Sequence, residues 1–223
     1  MKLFIDSADT QEIFDCVKTG FVSGVTTNPT LIKKSGRNPD EVYAEILTMG
    51  IEDLSMEVVG SKSEMFLEAE RLLNKFGNDK ATIKVPCTPD GLEVCRDLSK
   101  DNVKVNVTLI FSAAQSILAA KAGARYASVF VGRCDDNSVA GLEVVRSVAE
   151  VYARQGVKTR VLSASIRDVY KVTRSFYNGA SIVTMPPSIF HKMYKHILTD
   201  KGLELFEKDW QSVQTLANGV LTE

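Results

Sequence analysis

The sequence holds little histidine, cysteine or tryptophan: two, four and one among 223 residues. His191 and His196 are five apart, which on a helix separates them by about 140°, so no shared metal site is expected there. Cys16, Cys87, Cys95 and Cys134 include no C-x-x-C pair. Neither a zinc site nor a disulfide framework follows, and four reduced thiols of a cytoplasmic protein are expected. Charge of one sign is also missing, with 27 Lys+Arg against 28 Asp+Glu and a net charge of -1. That balance points to neither nucleic acid nor a membrane surface as a partner. No apolar run approaches the roughly 18 residues of a membrane-spanning helix. At the start, Asp6 interrupts the chain before the hydrophobic region of a signal peptide could form. There is no G-x-G-x-x-G after the first candidate strand, and Gly60-Ser61-Lys62-Ser63 lacks the upstream glycine of a P-loop.

What is present is an alternation. Short β-rich runs at Leu3–Asp6, Gly24–Thr27, Leu54–Val59, Thr82–Val85, Val103–Thr108, Ala127–Val131, Thr159–Ala164 and Ser181–Met185 are separated by segments of helical period. Several helices have readable starts. Pro39 and Pro89 stand at first helical positions, Ser63 precedes Glu64–Phe76, Ser112 precedes Ala113–Ala122, Ser138 precedes Val139–Gln155 and Ser165 precedes Ile166–Tyr177. Eight strands, each with a following helix at about 28 residues per unit, predict an α/β protein, a (β/α)8 TIM barrel with an additional C-terminal helix. A doubly wound open sheet is the alternative. The barrel is expected over residues 1–201, with 202–223 as a helical arm carrying Leu203, Leu205, Phe206, Trp210, Val213 and Leu216.

Buried parallel strands normally read as continuous apolar runs. Here several alternate instead. Ile5, Met56, Ile83, Val85, Val105 and Val107 oppose Asp6, Ser55, Glu57, Thr82, Lys84, Asn106 and Thr108. In a closed barrel the apolar set meets the helices and the polar set converges on the axis, its last members lining the mouth. Lys84 is then an inward lysine one residue from its strand's end. It is either a desolvated amine nucleophile for carbonyls or half of a structural ion pair with Asp6 or Glu57. Asp6 and Glu57 are inward carboxylates able to move protons during imine chemistry. Arg133 and Arg167, following the sixth and seventh strands, are candidates for a phosphate clamp.

These residues fall within longer blocks: Phe4-Ile5-Asp6-Ser7-Ala8-Asp9, Gly24-Val25-Thr26-Thr27-Asn28-Pro29-Thr30-Leu31, Ile83-Lys84-Val85-Pro86, Asn106 through Gln115, and Ser163-Ala164-Ser165-Ile166-Arg167. Together and in this order they resemble the transaldolases, in the short subfamily that also contains fructose-6-phosphate aldolase. The resemblance implies a (β/α)8 barrel that needs no metal or organic cofactor and acts on sugar phosphates. It implies a Schiff base on Lys84, with Asp6 as acid/base and Glu57 acting through a water held by Thr108. Thr27, Asn28, Asn106, Ser128, Phe130 and Ser165 would contact the substrate, and Arg133 and Arg167 its phosphate. The arm would pack on a neighbouring subunit in a homo-oligomer of five or ten. The aldolase branch carries Gln at the place of Glu57 and Tyr at the place of Phe130, so both positions match the transferase pattern.

Overall fold

The computed structural model describes residues 1–219, with side chains to Thr215; the side chain of Leu216 and residues 220–223, the end of the expected arm, lie outside the described residues. Two compact units are present, Met1–Phe190 and His191–Glu223.

In the first unit, eight parallel strands close into a barrel in sequence order. They are β1 (Lys2–Asp6), β2 (Val22–Thr26), β3 (Asp53–Glu57), β4 (Ala81–Pro86), β5 (Val105–Ile110), β6 (Tyr126–Phe130), β7 (Arg160–Ala164) and β8 (Ile182–Met185), and β8 pairs back onto β1. The outer helices are α1 (Thr10–Val17), α2 (Pro29–Ser35), α3 (Pro39–Leu47), α4 (Lys62–Phe76), α5 (Pro89–Lys100), α6 (Ala113–Lys121), α7 (Val131–Asp136), α8 (Gly141–Arg154) and α9 (Val169–Tyr177). After them come α10 (Pro187–Lys192) and α11 (Ile197–Gly219). The open-sheet alternative is excluded by the closure.

The strand parity read from the sequence holds. Ile5, Val25, Leu54, Met56, Ile83, Val85, Val105 and Val107 belong to one large core between strands and helices. Phe4, Tyr126, Leu162, Ala164 and Ile182 form a second cluster that fills the barrel axis. The Phe4 and Tyr126 rings meet edge to face, with centroids 6.2 Å apart. Gly24 makes room for this plug, since a Cβ there would stand 2.7 Å from the Phe4 ring.

Local chemistry explains most helix starts. Asp9, Asn28, Asn38, Thr88 and Ser112 each accept a backbone N–H from the first turn. Three expected starts move. Ser61, not Ser63, caps α4 in a reciprocal pair with Glu64. Ser138 caps nothing: the helix expected from Val139 is α8, which begins at Gly141, and Ala140 precedes it without a side-chain cap. Ser165 has φ 58°, left-handed rather than extended, so it cannot cap; Asp168 takes that role and α9 begins at Val169. The short helices α2, α7 and α10 fall outside the one-strand, one-helix reading. Asn28-Pro29 was the local sign of α2, an N-cap followed by Pro at the first helical position.

Candidate active site

Parallel register sets the site. Asp6 lies beside Thr26, Glu57 beside Lys84, Lys84 beside Asn106 and Pro86 beside Thr108. Asp6, Thr26 and Glu57 end their strands and Lys84 and Thr108 stand two residues from the ends of theirs, at the face where barrels of this kind keep their sites, while Asn106 lies deeper as the second residue of β5.

Lys84 is buried, and its ammonium is held by two acceptors. Glu57 Oε2 lies 2.9 Å away, with side-chain exposures of 4% and 10%, and the Thr27 carbonyl accepts at 2.9 Å. An ammonium has three hydrogens, so one remains for the cavity. The Thr27 carbonyl is itself fixed, because the Thr27 N–H and hydroxyl both donate to the Ser55 carbonyl, at 3.1 and 2.8 Å. Ser55 is a hub on its other side too. Asn106 Nδ2 donates to Ser55 Oγ at 3.2 Å, and Ser128 Oγ donates to Asn106 Oδ1 at 2.6 Å.

A small cavity of about 80 Å³ opens among Asp6, Asn28, Lys84, Ser128, Arg133 and Ser165, with Phe130 also on its wall. Asn28 spends its carbonyl oxygen on the Leu31 N–H at 3.0 Å, which leaves its amide hydrogens for the cavity. Thr26 donates to Asp6 Oδ1 at 2.7 Å. Burial pushes the Asp6 carboxyl above the usual carboxylate range, against the opposing pull of Lys84, the Thr26 hydroxyl and Arg133. Thr108 lies deeper, fully buried, and its hydroxyl has no hydrogen-bond partner among the described residues. A buried hydroxyl of that kind favours a small polar guest beside it.

Arg133 stands on the short α7, with its guanidinium 4.9 Å from the Phe130 ring centroid. The start of α7 is docked to the loop after β7. The Gly132 N–H donates to the Ser165 carbonyl at 3.0 Å, and a Cβ on Gly132 would come within 2.2 Å of that oxygen and 2.9 Å of Arg167 Nε. Arg167 crosses this glycine to form a two-point ion pair with Asp136. It is not on the cavity wall, and neither are Thr27, Glu57, Asn106 and Thr108. Sequence reasoning missed Ser55's hub role and the cavity-lining Thr26 and Thr184. The parity count, extended to β2 and β8, turns both threonines inward.

A larger cleft, about 970 Å³, opens at the other end of the barrel beside Lys104, Arg125 and Thr159. Size does not make it the reaction site, since its lining includes none of the residues above and no carboxylate. No group of three or more His, Cys, Asp or Glu able to hold a metal ion occurs among the described residues. Nor is any described helix long and apolar enough to cross a membrane.

Fold and site together define a (β/α)8-barrel protein with a buried lysine–carboxylate centre at the C-terminal mouth. Comparison with known proteins narrows this class. Residues 3–217 match the family described as Transaldolase/Fructose-6-phosphate aldolase, and the chain belongs to it. A probable transaldolase of Paracoccus denitrificans is 48% identical over 94% of this chain and 96% of its own. One of Rhodospirillum centenum is 47% identical over 95% and 91%, and one of Caulobacter vibrioides 44% over 95% and 97%.

The raised Asp6 pKa has a consequence for stability. Its folded-state value lies above that of the unfolded chain, so native protein keeps a proton over a window where the unfolded chain has lost it. Stability therefore falls as pH rises through that window. Asp6→Asn removes this cost and should stabilise the protein more at pH 8 than at pH 4. Urea denaturation of both proteins at the two pH values measures it; an equal effect at both would contradict the burial argument.

Proposed function

We propose that this enzyme is a transaldolase. It takes a three-carbon dihydroxyacetone unit from a ketose phosphate, sedoheptulose 7-phosphate or fructose 6-phosphate, and passes it to an aldose phosphate, in the non-oxidative pentose phosphate pathway of the cytoplasm. The observation that carries the reading is the buried Lys84 ammonium, held by Glu57 in a cavity shared with Asp6.

The chemistry follows from that arrangement. Glu57 takes a proton from Lys84, and the neutral amine attacks the ketone carbon. Glu57, acting through a water beside the Thr108 hydroxyl, then moves the protons that turn the carbinolamine into an iminium ion and expel water. Asp6 takes the proton of the C4 hydroxyl as the C3–C4 bond breaks, and that bond's electrons flow into the iminium to give an enamine on Lys84. An incoming aldehyde reverses these steps. Asn28, Asn106, Ser128 and Ser165 hold the hydroxyls of the three-carbon unit, and Thr27 fixes the lysine. Arg133 binds phosphate, joined by Arg167 once it leaves Asp136. The reaction calls for no metal and no organic cofactor.

Reduction with borohydride in the presence of fructose 6-phosphate should add a three-carbon unit to Lys84 and to no other lysine. Lys84→Arg keeps the charge but cannot attack, and should abolish turnover in a folded protein. Normal turnover by that variant would refute the reading.

Fructose-6-phosphate aldolase is the second activity named in the family's description. Glu57 and Phe130 favour transfer over it. A phenol at position 130 would add a donor beside the intermediate, worth about ten- to a hundredfold in rate. Wild type should consume erythrose 4-phosphate much faster than it releases dihydroxyacetone, and Phe130→Tyr should shift that ratio toward release. Equal rates in the wild type would assign the protein to the aldolase instead.

The arm from residue 202 supports assembly into a ring of five, or two such rings. Phe206 is 69% and Trp210 62% exposed on α11, with Leu203, Leu205 and Val213 exposed beside them. Truncation after Lys201 should reduce the number of subunits in the assembly measured by light scattering. A full-length monomer at micromolar concentration would contradict the assembly.

A further inference from the structure

Asp6 does not face its cavity alone. Thr26 on β2 and Thr184 on β8 are both 2% exposed, and both line the cavity that holds Asp6. Their hydroxyl oxygens are 2.7 Å apart, and Thr26 Oγ1 is 2.7 Å from Asp6 Oδ1. A hydroxyl carries one hydrogen. Thr26 spends its hydrogen on Asp6, so the bond between the threonines has to be donated by Thr184. The chain therefore has one direction: Thr184 to Thr26 to Asp6, across β8, β2 and β1.

We propose that Thr26 and Thr184 are positioning residues for the base: a one-way hydroxyl chain that occupies Oδ1 and presents the other carboxylate oxygen, Oδ2, to the substrate hydroxyl. This rests on the reading of Asp6 as the proton acceptor. The C4 O–H proton moves to Oδ2, the O–H electrons become the new carbonyl, and the C3–C4 pair moves onto the Lys84 iminium. Oδ1 stays an acceptor throughout, so no hydroxyl has to turn during the reaction. Thr184 strengthens the bond by holding the lone pair of Thr26, which polarises its O–H toward the carboxylate.

The chain also counters burial. The charged groups that act on Asp6 are Lys84 from β4 and Arg133 from α7, and the Thr26 hydroxyl adds to their pull toward the ionised form. Without it the Asp6 pKa rises further, so the base is ionised only at higher pH.

The test uses full-length Thr26→Val and Thr184→Val, which keep side-chain shape, and Thr26→Ser and Thr184→Ser, which keep the hydroxyl. Thr26→Val should lower kcat for transfer from fructose 6-phosphate roughly ten- to a hundredfold. The acid limb of its kcat–pH profile should move up by about one pH unit. Thr184→Val should move both in the same direction by less, and each serine variant should recover most of the loss. Borohydride trapping of the substrate on Lys84 should stay at the wild-type level, which a general loss of structure would not allow. Wild-type kcat and an unmoved acid limb in both valine variants, beside an inactive Asp6→Asn, would overturn the threonine assignment alone. Wild-type turnover by Asp6→Asn would overturn the reading of Asp6, and the chain with it.

Discussion

A closed barrel that turns polar side chains toward its own axis has to pair them there, because water cannot reach most of them. Everything at this site follows from that constraint. Near the floor, Asp53 accepts from Thr82 at 3.0 Å and Tyr126 at 2.9 Å. In the middle, Ser55, Asn106 and Ser128 form a chain. Toward the mouth, Glu57 meets Lys84, and Asp6 meets Thr26. Every link joins different strands, so the register of the sheet is also the wiring of the site.

Such an interior is costly to build. Burial raises the Asp53 pKa as it raises that of Asp6, and one oxygen of Asp53 has no partner among the described residues. The apolar layer between strands and helices offsets this. Fully buried side chains such as Ile5, Leu54 and Ile83 each contribute about 1.5–3 kcal/mol. The Lys84–Glu57 pair is not a stability device in itself, since well-packed apolar residues would do as well, and removing one partner would strand the other charge. The pair places an amine and a proton acceptor 2.9 Å apart, the arrangement on which the proposed carbonyl chemistry rests.

The two arginines are organised differently. Arg133 stands on α7 and Arg167 on the loop after β7, and Gly132 lets the start of α7 lie against Ser165, which has a left-handed backbone. Arg167 is engaged by Asp136, a contact that any anion binding at Arg167 has to replace. Both groups of that pair are about half exposed, so solvent screens it and exchange costs little.

Strand positions and side-chain facing were legible in the sequence, because alternation is a property of one strand's backbone and needs no neighbour. That is how Lys84, Asp6, Glu57 and Thr108 could be placed inward together. The family was legible too, because its blocks are contiguous. Partnerships were not. That Lys84 takes Glu57 rather than Asp6, that Thr26 and Thr184 meet across 158 positions, and that Ser55 ties Thr27 to Asn106 depend on register between segments far apart in the chain. Ser165's failure to cap and Arg167's pairing with Asp136 depend likewise on how two loops dock. Local sequence determines which way a side chain points; only closure of the barrel decides what it meets.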